Sequence, residues 1–103
     1  MKITVQVRQE DESFGPLEWD AKSVVGGLAV MRTVSTDQTP GTTWSVTQVC
    51  SGLTAVTHVS LKTAYAVRKA LLAIPGADWN RSDILQNERI RREAVETVRL
   101  ISY

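Results

Sequence analysis

Residues 42–74, TTWSVTQVCSGLTAVTHVSLKTAYAVRKALLAI, decide the fold. Trp44 and Val46 open a strand, Ser51-Gly52 marks a tight turn, and Leu53 to His58 return as a second strand. Ser60 then offers a hydroxyl to cap a helix, and Pro75-Gly76 stops that helix just after Ile74. At about 100° per residue, Ala64, Val67, Leu71 and Ile74 fall on one apolar arc, with Leu61, Tyr65 and Leu72 on a second. Arg68 lies between the arcs, and Lys62 and Lys69 mark the wet side. So broad an apolar surface exceeds what a sheet alone can cover. The helix is therefore expected between the sheet on one arc and a second helix on the other.

Upstream, residues 2–8 alternate, with Ile3, Val5 and Val7 opposite Lys2, Thr4, Gln6 and Arg8, the pattern of a strand with one wet face. The acidic run Glu10-Asp11-Glu12 breaks the alternation and Gly15-Pro16 reads as a turn. Leu17 and Trp19 offer a short extended piece within 9–23. A further strand spans about 27–34, setting Leu28, Val30 and Val34 against Ala29, Met31 and Thr33. Arg32 falls on the Leu28 face, so either this strand is an edge or Arg32 finds a partner. Residues 35–42, STDQTPGT, are loop by composition.

Downstream, Asn80 is the expected cap of the second helix, with Asp83 three residues on and Trp79 facing Ile84 as a hydrophobic staple. Ile84, Ile90, Ala94, Val98 and Ile101 give a narrow apolar stripe. The outer face carries Arg89 with Glu93, and Arg92 with Glu96, pairs worth ~0.2–0.5 kcal/mol each. The order is β-β-β-β-α-α. It specifies one α+β domain over 1–103, an antiparallel sheet of three to four strands followed by two packed C-terminal helices.

Twelve basic residues against 11 acidic give a formal charge of +1, and whole-chain electrostatics selects no partner class. The halves differ: four basic and six acidic residues in 1–59, eight and five in 60–103. A lone Cys50 excludes an internal disulfide framework. No apolar run approaches the roughly 18 residues of a membrane span, so the expectation is a soluble, cytoplasmic protein without membrane contact. Asn80-Arg81-Ser82 matches the glycosylation triplet, which carries no weight in that setting.

Catalytic chemistry has little to stand on. Cys50 and His58 are the one candidate pair of nucleophile and base, and the hairpin separates them by about 20 Å at roughly 3.3 Å per residue. One Cys and one His also leave zinc short of its usual ligands, so no metal and no cofactor is expected. Gly26-Gly27 leads into a strand, where a phosphate loop would lead into a helix. The surfaces expected to touch a partner are therefore Glu10, Asp11 and Glu12 with Trp19 as an exposed aromatic anchor, or else the helix face with Arg89 and Arg92.

Trp44-Ser45-Val46-Thr47, the Ser51-Gly52 turn, the alanine-rich helix from Ala64 to Leu72 and the closing Asp78-Trp79 resemble a layout of small bacteriophage and mobile-element accessory proteins. The resemblance implies a non-enzymatic inhibitor that blocks a host protein or complex, such as a defence complex, inside the host cell. A three-stranded sheet followed by a helix also resembles, in outline, the DNA-binding domains of some integrases and plant-type transcription factors. The alternative expectation is a weak nucleic-acid-binding module using the C-terminal arginines Arg81, Arg89, Arg91, Arg92 and Arg99. Self-association through an edge strand or the last helix is a further expectation, giving a homodimer.

Overall fold

Alternation within a single strand, β3 (Leu28–Val34), gives this chain two cores. Leu28 and Val30 point to one face, Ala29 and Met31 to the other, and all four are buried. The computed structural model describes residues 1–8, 11–35 and 37–102, with the side chain of Arg8 excepted. Its antiparallel sheet has five strands in sequential order: β1 (Lys2–Arg8), β2 (Phe14–Val25), β3, β4 (Pro40–Gln48) and β5 (Thr54–Val59). Helices α1 (Leu61–Leu72) and α2 (Glu88–Ser102) follow, with one turn of 3-10 helix at Ile84–Gln86. This is the expected α+β domain, with one more strand.

The extra strand is β2, which the turn reading of Gly15-Pro16 had hidden. Leu17 and Trp19 stand opposite Val5 and Ile3 of β1, so β2 continues the same two-residue period over most of its length. Gly26 and Gly27 then form a two-residue hairpin turn between the partners Val25 and Leu28. Their φ values of 59° and 86° are the left-handed pair that a primed turn demands and that glycine supplies at least cost. Between Ala21 and Ser23 the register slips by one residue, leaving Lys22 as a bulge. The slip swaps faces: Ala21 joins the core under Met31, while Ser23, opposite Val30, turns toward α1. A second irregularity, between Arg32 and Val34, carries Val34 away from the Leu28 face and onto the Met31 side, contrary to the simple alternation.

The first core lies between the sheet and the helices. Ser60 caps α1 through its hydroxyl, which accepts from the Thr63 amide at 3.1 Å. Ala64, Val67 and Leu71 are completely buried against Leu28, Val30 and Val46, at roughly 1.5–3 kcal/mol for each fully buried Val or Leu. Ile90 and Ala94 of α2 close this core from the other side. The second arc of α1 does not lie under α2 as expected. Leu72 instead packs over the β2–β3 turn, where a Cβ on Gly26 would come within 2.5 Å of its Cδ2, and Leu61 and Tyr65 remain half-buried.

The second helix also starts later than Asn80. Asp78 accepts the Asn80 amide at 3.0 Å in a tight side-chain turn, and the chain then passes through the 3-10 turn before α2 begins at Glu88. Asn87 supplies the cap, its Oδ1 accepting from the Ile90 amide at 3.2 Å. Trp79 and Ile84, the expected staple pair, are both buried in the helix-side core. The Trp79 indole N–H donates to the Leu71 carbonyl at 3.0 Å and ties this connection down.

The second core forms because the sheet curls. Ile3, Val5, Trp19, Ala21, Ala29 and Met31 cluster on the face away from the helices, so β1 and β2 fold over β3. The curl brings β1 round to the β4–β5 turn, where the Gln6 amide donates to the Gly52 carbonyl at 3.0 Å.

Candidate interaction site

That bond closes the sheet at one end only. Among the described residues β1 pairs along its length with β2 alone and β5 with β4 alone, so two strand edges border a groove of about 1610 Å³. Val5 and Val7 line one wall and Leu53 to His58 the other. The floor is a row of hydroxyls crossing three strands: Thr33 and Ser45 are 2.8 Å apart, and Ser45 and Thr57 2.9 Å. Phe14, Leu53 and Leu85 stand exposed at the rim. Polar floor, apolar rim and unpaired edges together suit an extended polypeptide.

Backbone strain gathers at the groove's mouth. Glu12, Gln38 and His58 are the non-glycine residues with positive φ among those described, at 68°, 61° and 60°. Each such conformation costs of order 1–3 kcal/mol and persists where surrounding structure enforces it. His58 sits where three steps of β5 (Val56 to Val59) span two steps of β4 (Val46 to Trp44), a bulge that turns the β5 edge.

Two carboxylates are fixed at the same mouth by hydroxyl groups. Asp11 accepts from the Ser13 hydroxyl at 2.5 Å and its amide at 3.1 Å, and these bonds hold its carboxyl below the ordinary carboxylate range. Asp37 accepts from the hydroxyls of Ser35 and Thr39 and is lowered likewise. Of the residues expected to meet a partner, Asp11 thus lines the groove, Glu12 is exposed beside it, and Glu10 lies outside the described residues.

Trp19 is the clear correction. It is buried, 7% exposed, and its indole N–H donates to the Arg32 carbonyl at 3.0 Å. Facing Ile3 across the β1–β2 ladder, it belongs to the second core and cannot serve as an exposed anchor. The groove-lining residues Leu53, Thr57 and His58 had a sequence signal, an alternating edge strand, but nothing in the sequence said that β1 would curl round to face it.

On α2, Arg89 pairs with Glu93 at 3.0 Å as expected and also donates to the Pro75 carbonyl at 2.8 Å. Arg92 does not reach forward to Glu96; it turns back to Glu88 at 2.6 Å, and Glu96 takes Arg99 at 2.9 Å. Cys50 and His58 stand at opposite ends of the β4–β5 hairpin, with the Cys50 thiol 3.6 Å from the Trp79 carbonyl. Among the described residues no three His, Cys, Asp or Glu side chains gather as metal ligands, and no helix is long and apolar enough to cross a membrane.

Comparison with known proteins gave no matching family model, no similar curated protein and no similar solved structure.

Proposed function

We propose that this chain is a non-enzymatic binding protein that takes an extended segment of a partner protein between β1 and β5. The observation that carries the reading is the incomplete closure of the sheet: two strand edges face one groove, pinned together among the described residues by the Gln6–Gly52 bond. An added strand pairs with the outer backbone groups of β1 and β5, and it covers Phe14 and Leu53 at the rim. Such a protein inhibits by occupancy, and an accessory inhibitor of a host defence complex is the setting this reading fits.

The test is capture from host lysate by the wild-type chain and by Leu53→Glu, which puts a charge on an exposed rim position without touching either core. A stoichiometric protein is expected with the wild type and lost with the variant. In the complex, amides of residues 2–8 and 54–59 should gain protection from hydrogen exchange. Equal capture by both chains, or protection confined to α2, defeats the proposal.

A further inference from the structure

Away from the groove, and sharing no residue with it, a band of cations runs beside α1. Arg32 lies over the Trp44 ring, its Cζ 4.8 Å from the ring centre, and the bulge residue Lys22 reaches the same ring at 5.9 Å. One step along, Ser23 accepts from Arg68 through both its carbonyl and its hydroxyl, each at 3.0 Å. Arg68 in turn sits over Tyr65 at 5.1 Å. On the helix wheel Lys62 and Lys69 project on the Tyr65 side, away from the flank that meets α2, and α1 contains no acidic residue.

Lys22, Arg32, Lys62, Arg68 and Lys69 are therefore five cations in one band, and among the described residues no carboxylate lies within ion-pair distance of any of them. The nearest opposing charges on β2 are Glu18 and Asp20, and Asp20 is taken by Lys2 at 3.1 Å. Arg68 is nearly buried with only neutral partners, so its field is weakly screened. The Trp44 ring steadies the Lys22 and Arg32 heads where they stand, which reduces the entropy an anion must overcome to bind them. Beside Trp44 a cleft of about 420 Å³, lined by Lys2, Lys22, Arg32 and Pro40 and also by the carboxylates of Glu18 and Asp20, has the volume of a small-ligand pocket.

We infer that this band binds single-stranded nucleic acid. The phosphates lie along Lys22, Arg32, Lys62 and Lys69, and an unpaired base enters the cleft against Trp44. Cations alone would accept any polyanion. Cations alternating with half-exposed rings are what an unstacked strand requires and a duplex cannot use, because its bases are already stacked. The assignment moves the nucleic-acid surface off α2, whose arginines are mostly held by glutamates.

The test is fluorescence anisotropy with a labelled single strand of about 20 nucleotides, titrated with the full chain at several salt concentrations. Four phosphate contacts predict a slope near −3 in log affinity against log salt, or roughly a 50-fold loss over a fourfold rise in salt. The triple variant Lys22→Glu, Lys62→Glu, Lys69→Glu, altered only at exposed positions, should lose at least tenfold in affinity with unchanged circular dichroism. Arg89→Glu with Arg92→Glu should bind within about threefold of wild type. No binding at low salt overturns the inference, as does retention in the triple variant or loss through the α2 pair alone. Equal or better binding of the matched duplex, heparin or poly-glutamate also overturns it.

Discussion

Two regions of this molecule are rich in positive side chains, and they hold them in opposite ways. From Arg81 to Arg99 four of the five arginines reach local carboxylates: Arg81 takes Asp83, Arg89 takes Glu93, Arg92 takes Glu88 and Arg99 takes Glu96, all at 2.6–3.0 Å. Beside α1, Lys22, Arg32 and Arg68 meet rings, carbonyls and a hydroxyl. An exposed ion pair cancels its own field a few ångströms away, whereas a cation over a ring keeps its charge visible to an approaching anion. The number of arginines in a segment is thus a poor guide to its potential. Their partners decide it.

The comparison breaks first at Arg68. Arg68→Ala should cost about 1–3 kcal/mol in urea unfolding, because it leaves the part-buried Ser23 carbonyl and hydroxyl without their donor. Arg92→Ala, which removes an exposed helix pair, should stay within about 0.5 kcal/mol of wild type. Equal costs would show that the two sets of cations are held alike. A finer contrast is Arg92→Glu, which sets like charges one helical turn apart and should destabilise by about 0.2–0.5 kcal/mol, less as salt is added.

The smallest effect is in acid. Hydrogen bonding to Arg81 holds the Asp83 carboxyl below its ordinary value of 3.8. Because the folded value is the lower one, the pair's contribution is present above 3.8 and disappears as pH falls through the folded value. Carboxyl NMR titration should find Asp83 returned toward 3.8 in Arg81→Ala. The Trp44 indole resonance should not follow that Asp83 transition, since the charge over its ring is a guanidinium. A Trp44 shift that tracks Asp83 would remove the distinction.

Much of this architecture is legible in the sequence because local chemistry and tertiary role agree. Ser60, the apolar arc of α1 and the stop at Pro75-Gly76 each speak for the same helix, and β1 reads from its alternation alone. β2 escaped because a bulge breaks the period that identifies a strand, and because Gly15-Pro16 carries a turn signal inside the strand's first residues. The sites were less legible than the fold. The groove depends on how far the sheet curls, and the cation band depends on Lys22 being the residue left over by a register slip. A single alternation pattern encodes neither. Trp19 shows the same limit from the other side: next to an acidic run it reads as exposed, yet its ladder partner Ile3 places it inside.

Gly52 gives the incomplete barrel an adjustable jaw. At a φ of 73°, a Cβ there would stand 3.1 Å from the Gln6 amide nitrogen and 3.2 Å from the Thr4 carbonyl. Even a methyl group would crowd β1 and require it to shift by a few tenths of an ångström from the β4–β5 turn. One hydrogen atom in place of a side chain thus sets how closely β1 and the β4–β5 turn approach each other.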